Sequence, residues 1–257
     1  MEKSGKQFTI GYQNRFRPKS KHFTQHVKTV SWGISIMPRR MPCAAARFPP
    51  GVFPNKALQG GGPLIDIGTH ALDMTLWMMS NYEPVSVYGS VFYKLGHLPQ
   101  ATEGNAFGPW DPQAYEVEDS ARYDSHERRL HDSFGSFWAL NVRESKEAST
   151  TLCGTLAGAE INSGMSFKED ELIINRGRNG ILMDERMAGG GNVAYFEGGT
   201  GDPGYAEARQ WLLAILNGTQ PLVHPEQAFI VTQILEGIYR SGETGAEVRL
   251  KGLEAVK

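Results

Sequence analysis

Gly60-Gly61-Gly62-Pro63 constrains this chain more than any other stretch of it. Three glycines and a proline in a row end whatever helix or strand precedes them. Directly afterwards, Leu64, Ile65, Ile67, Ala71, Leu72, Met74, Leu76, Trp77, Met78 and Met79 recur at helical spacing. The pattern predicts a helix of about 15 residues, ended before Asn81 and Pro84. Inside that apolar run stand Asp66, His70 and Asp73, at i, i+4 and i+7, the spacing of one helix face. A carboxylate beside an imidazole holds one ring tautomer and raises the ring's basicity, which suits general acid–base work near neutral pH. The same spacing describes an ordinary helix-surface ion pair worth about 0.2–0.5 kcal/mol, and spacing alone favours that reading. The glycine run weighs the other way, because backbone without side chains lets a ligand come close. A divalent-ion site built from His70, Asp66 and Asp73 is a third reading, but no HxxxH or HExxH accompanies it.

The rest of the chain reads as alternating short elements. Lys6–Tyr12 is expected to be a short strand, and 21–28 a helix after Pro18. Val85–Phe92 alternates like a strand, with Val85, Val87 and Val91 on one face. Residues 95–115 form a long Gly-, Pro- and Asn-rich loop, a kind often functional in compact domains. Strands are expected over 150–156, 171–175, 180–183 and 247–250. Helices are expected over 205–216, with Ala208, Trp211, Leu212 and Ile215 as one stripe, and over 225–239, started by His224-Pro225. Trp77, Trp211, Met78 and Met79 sit at helical spacing and read as core. The order implies an α+β fold with helices on one face of a sheet.

Several function classes are disfavoured. With 40% hydrophobic and 21% charged residues, the composition is that of a globular protein. A net charge of -2, without a run of one sign, gives no footprint for nucleic acid or an anionic membrane. The two cysteines, Cys43 and Cys153, form no CxxC, and a reducing cytoplasm is the simplest setting. No stretch of about 18 apolar residues reads as a membrane span. Gly199-x-Gly201-x-x-Gly204 matches a dinucleotide fingerprint, but the helix after it leads to another helix rather than to a parallel strand, and it reads as a flexible loop.

Three segments together resemble the glucose–fructose oxidoreductase / inositol dehydrogenase (Gfo/Idh/MocA) family. Gly11-Tyr-Gln-Asn-Arg-Phe-Arg-Pro18 looks like the exit from the last strand of that family's nucleotide domain. Residues 60–73 look like its D-x-x-x-H catalytic helix. The C-terminal run, from Ala208–Leu216 through Asn217-Gly218 and Pro221 to Ile238-Tyr-Arg-Ser-Gly-Glu-Thr-Gly245, is also similar. The resemblance implies a large, mainly antiparallel sheet with helices packed on one face. It implies residues 1–15 as a remnant of a dinucleotide-binding domain and 16–257 as a substrate-binding and oligomerisation domain. His70 would accept a proton from a substrate hydroxyl, with Asp66 as its partner. Gln13, Asn14 and Arg15 would line the edge nearest an NAD or NADP cofactor. The implied partners are a sugar or polyol substrate and a second copy of the chain through the sheet, with no nucleic acid and no membrane.

The chain departs from the family in two ways. No glycine fingerprint follows an initial strand, and no Glu-Lys-Pro supplies the family's lysine, so little activity is expected of this chain alone. A non-catalytic binding or oligomerisation module on the same scaffold is the alternative. Residues 33–50 and 122–137 are also Pro/Arg-rich or charged where the family has strands. A one-base shift of reading frame in each would account for this, with divergence into surface loops as the alternative. Loss of sheet strands is the expected consequence.

Overall fold

The N-terminal third is organised by proline and glycine. A 3-10 turn, Gln13–Phe16, leads into helix α1, Pro18–Thr29. Strand β1, Ser35–Met41, follows. The short helix α2, Lys56–Gln59, is capped by Asn55, whose side chain accepts from the Leu58 N–H at 2.9 Å. Then the glycine break delivers a π-turn, Leu64–Gly68, that continues into helix α3, Thr69–Met79. The computed structural model describes residues 4–29, 35–41, 49–98, 108–127, 130–138, 149–162, 171–186 and 202–251.

Eight strands and two helices follow. They are β2 (Pro84–Phe92), β3 (Ser120–Glu127), β4 (Leu130–Phe137), β5 (Ser149–Gly154), β6 (Ala157–Asn162), β7 (Glu171–Arg178) and β8 (Ile181–Arg186). Helix α4 (Pro203–Asn217), helix α5 (Pro225–Thr244) and strand β9 (Val248–Arg249) close the chain. The strands form one sheet in the order β8-β7-β6-β5-β1-β4-β3-β2-β9. Every neighbouring pair is antiparallel except β1 with β4. A parallel pair needs a long crossover, and the chain from 42 to 129 supplies it. The α+β class and the mainly antiparallel sheet agree with the sequence reading.

Side chains alternate across the sheet as period two requires. Val87, Ala121 and Tyr123 meet Leu72 and Leu76 of α3 and Ile230, Ile234 and Ile238 of α5 in one core. Leu152, Ala159, Ile161, Leu172 and Ile174 meet Met74 and Met78 of α3 and Phe23 of α1 in a second. Helix α3 therefore has apolar contacts on two sides, which explains why its sequence is apolar almost all round. At the β7–β8 turn, Asn179 and Gly180 both take positive φ (54° and 79°), the turn that fits a twisted two-stranded hairpin.

Four expectations need correction. Residues 6–12 form no strand; their polar side chains are tied instead to the α4–α5 connection, through Gln7 to the Thr219 carbonyl (2.9 Å) and Thr9 to the Val223 carbonyl (3.1 Å). Val85 does not share a face with Val87. The pairing steps from Pro84↔Glu127 to Ser86↔His126, so Val85 is the extra residue of a bulge and is exposed while Val87 is buried. Strands do form in the two segments that lack alternation, as β1 and as β3–β4. Backbone ladders need no side-chain period, and neighbours on both sides of β1 and β4 set their register. Residues 42–48, in the first of these segments, lie outside the described residues. Finally, Trp211 is not core: with Ala208, Leu212 and Ile215 of the same stripe it is exposed, and Ala214 is the buried residue of that helix.

Candidate active site

The site begins with the π-turn. The Gly68 N–H donates to the Pro63 carbonyl at 2.9 Å, five residues back, where an α-helix would reach four. Such single wide turns are held only when the surroundings favour them, and they concentrate at functional sites. Here the surroundings include Glu118, at the entry to β3. Its buried carboxylate accepts from the Gly62 N–H (2.9 Å), the Leu64 N–H (3.3 Å) and the Tyr239 hydroxyl (2.7 Å). It therefore serves as an N-terminal cap supplied from another element. On the other side, the Ser136 hydroxyl donates to the Pro63 carbonyl at 2.6 Å.

This arrangement gives the glycine run a different purpose from the one expected. A Cβ on Gly62 would stand 2.0 Å from the Glu118 carbonyl oxygen, and one on Gly61 would stand 2.1 Å from the Tyr239 hydroxyl. The close approach is made by the protein itself. The glycines let Glu118 and Tyr239 reach the backbone that carries Asp66.

Asp66 and His70 are both partly buried. Asp66 Oδ2 accepts from the Trp138 indole N–H at 2.9 Å. Burial raises the Asp66 pKa, with the Trp138 hydrogen bond and the charge of His70 pulling back. His70 is shifted the opposite way: burial lowers its pKa, and Asp66 and Asp73 oppose this. The imidazole stands edge-on to the Tyr12 ring, with centroids 6.2 Å apart. Its Nδ1 is enclosed and has no hydrogen-bond partner. The link between Asp66 and His70 is thus electrostatic, and the hydrogen bond on Asp66 comes from Trp138. A base that is neutral near physiological pH, with two carboxylates to stabilise its protonated form, can take a proton and give it back.

Asp73 belongs to a different environment. It is buried and forms a double hydrogen bond with Arg15, whose Nε lies 2.9 and 3.2 Å from its two oxygens. Arg15 Nη1 also reaches Gln227 Oε1 at 2.6 Å, and Nη2 reaches the Tyr82 hydroxyl at 3.0 Å. The guanidinium lies over the Tyr12 and Trp77 rings, 5.6 Å from each centroid. Burial lowers the Arg15 pKa, but its bonds and charge interaction with Asp73 raise it further, so it stays charged. Of the three residues expected at a cofactor edge, Gln13 and Asn14 are partly exposed, whereas Arg15 is fully enclosed by protein. Among the described residues, no three His, Cys, Asp or Glu side chains converge as a metal-binding group.

Glu118, Trp138 and Tyr239 escaped the sequence reading. Glu118-Asp119 was the available signal: two adjacent acids opening a strand call for buried partners. Asp119 also has work of its own, accepting from the Lys94, Leu95 and Gly96 N–H groups. Trp138 carried no local signal. Glycines 199 and 201 lie outside the described residues; Asp202 caps α4, and α4 is followed by α5 rather than by a strand.

Comparison with known proteins places this geometry. Residues 54–250 match the model of the oxidoreductase family, C-terminal alpha/beta domain, of the Gfo/Idh/MocA group. The chain is 32% identical over 203 residues to a D-glucoside 3-dehydrogenase of Escherichia coli (strain K12), an alignment covering 78% of this chain and 52% of that protein. The chain thus spans about half the length of that curated relative. An aldose-aldose oxidoreductase from Caulobacter crescentus, solved with glycerol, superposes with a TM-score of 0.75 at 20% identity, covering 97% of this chain and 65% of that one. A levoglucosan dehydrogenase in complex with NADH and levoglucosan superposes with a TM-score of 0.74 at 17% identity, over 94% and 65% of the two chains. At such identities the structures show a shared fold.

Proposed function

Because the chain belongs to the Gfo/Idh/MocA oxidoreductase family, we propose that it serves NAD(P)-dependent oxidation of a CH–OH group on a sugar, polyol or related hydroxy compound. His70 accepts the hydroxyl proton, and Asp66 stands beside it near the substrate. The observation that carries this reading is an imidazole kept neutral by burial, next to a carboxylate on a π-turn that other elements hold in place. A bound nicotinamide would supply the hydride acceptor. The chain's own part is to position the hydroxyl, take its proton at His70 and stabilise the imidazolium with Asp66 and Asp73. Gln13 and Asn14 are the residues of the expected edge that fit contact with the cofactor, being partly exposed on the 3-10 turn. The enclosed Arg15 does not fit such contact.

Residues 1–15, though they form no strand over 6–12, are read as the remnant of a dinucleotide-binding domain and 16–257 as the substrate-binding and oligomerisation domain. Two features support the division. An apolar groove lined by Phe8, Ile10, Tyr12, Pro225 and Phe229 runs beside residues 6–12. The outer side of α4 also presents exposed Trp211, Leu212 and Leu216. Both suit burial against further structure. Tyr88 and Phe92, exposed on β2, support association of two copies through the sheet. Among the described residues, no helix is long and apolar enough to cross a membrane.

The test has two readouts. In the chain as purified, saturating sugars should perturb the His70 imidazole resonances, with weak or no turnover of NAD+ or NADP+. Where turnover is measurable, His70→Asn should lower it by about 10²–10⁴-fold, the usual contribution of a positioned base. A His70 signal blind to every sugar, together with no nucleotide binding by fluorescence, would instead favour the non-catalytic module. Robust turnover by the purified chain would overturn the expectation of weak activity.

A further inference from the structure

Asp66 sits where three elements meet, and the residue that orients it comes from outside its helix. Trp138 follows β4 and is fully buried. Its ring packs with Trp110, Tyr115 and Val117, with Phe53 edge-on at 6.2 Å. Its backbone N–H donates to the Asp119 carbonyl at 3.3 Å. The indole is therefore fixed by its own cluster, independently of Asp66, and its single N–H points at one carboxylate oxygen. A fixed donor selects one rotamer of an acceptor and holds it there.

We propose that Trp138 is a positioning residue for the site: its indole N–H holds the Asp66 carboxylate in the ionised form and in one orientation, and through Asp66 it sets the proton affinity of His70. Among the described residues, the charged and titratable groups around this pair are few. Asp66 faces His70 on its own helix. His70 faces Asp66 and Asp73 on that helix and the Tyr12 ring from the N-terminal segment, and Asp73 is already engaged by Arg15. Among the described residues, loss of the indole donor leaves burial of Asp66 opposed by the charge of His70. The carboxyl then keeps its proton to higher pH, and the imidazole loses support for its own.

The proposal rests on Asp66 and His70 being the reacting pair, but it is tested without substrate or nucleotide. In ¹⁵N NMR of the intact chain, the Trp138 indole resonance, one of five indoles, should shift with pH together with the Asp66 carboxyl. The shift should vanish in Asp66→Asn. Trp138→Phe keeps an aromatic ring and removes the donor. It should move the Asp66 midpoint up and the His70 midpoint down, beyond any loss of thermal stability. A Trp138 indole insensitive to pH in the parent protein overturns the proposal, even if Trp138→Phe does not fold. So does a Trp138→Phe protein that melts earlier with both midpoints unmoved, which would leave Trp138 a packing residue. Coupled titration in a chain whose turnover survives His70→Asn would keep the tether and remove the catalytic reading.

Discussion

Asp66 and Asp73 lie seven residues apart on one continuous helical segment, yet they do opposite things. Asp73, one turn into α3, is sealed in the core and bound through both oxygens to Arg15. Asp66, on the π-turn, is partly exposed and held through one oxygen by Trp138. The first has both oxygens engaged by a buried guanidinium; the second, held through one oxygen, keeps capacity for a proton or a ligand. The difference does not lie in the residue type or the spacing. It lies in what the neighbouring elements bring: a guanidinium from the 3-10 turn in one case, an indole N–H after β4 in the other.

The comparison predicts unequal costs. Arg15→Met should cost about 3–5 kcal/mol in urea unfolding, because it leaves a buried carboxylate without its cation. Arg15→Met with Asp73→Leu should recover much of that loss, since no charge is then left buried without its counter-ion, although Gln227 and Tyr82 lose a donor. If Arg15→Met instead cost little and weakened nucleotide binding, Arg15 would be a cofactor contact after all.

Glu118→Gln is expected to cost less, about 1–3 kcal/mol, by under-satisfying the Gly62 and Leu64 N–H groups. It should also change the pH dependence. Burial raises the Glu118 pKa, so its contribution is fully present below its unfolded value near pH ~4.3 and is lost as pH rises through the folded value. Asp66 acts with the same sign. His70, shifted down, acts with the other: its contribution is present above its unfolded value near pH ~6.5 and is lost as pH falls through the folded one. Stability measured against pH should thus fall less steeply above pH ~4.3 in Glu118→Gln. An unchanged slope would remove Glu118 from the account.

The smallest effect is expected at Asp66 itself. Asp66→Asn keeps an acceptor for the Trp138 indole and removes a partly buried charge. Its thermal stability should stay within about 1 kcal/mol of the parent, on the stabilising side, as is common where function rather than folding fixes a residue. A large loss of stability would make Asp66 structural, like Asp73, and collapse the distinction.

Much of this was legible along the chain, and the failures are as informative as the successes. The helical run over 64–79, a helix after Pro18, the helix start at Pro225 and a short terminal strand follow from local pattern. Asp66 and His70 were visible as polar interruptions of an apolar run. Val85 was misplaced because a bulge is a property of the pairing and not of one strand. Trp211 reads as core yet is exposed, because periodicity shows that a helix has an apolar side but cannot show what covers it. Glycines 61 and 62 announced a close approach without naming the approaching group.

By itself, then, the sequence determined where helices begin and end, that a carboxylate and an imidazole share a turn, and which family the chain resembles. These depend on residues near one another in the chain. Only the tertiary structure decided that Asp73 belongs to Arg15, that Asp66 belongs to Trp138, and that Glu118 and Tyr239 hold the π-turn. Those partners are separated from the helix by tens to more than a hundred residues, and burial makes their few contacts strong by removing water as a competitor.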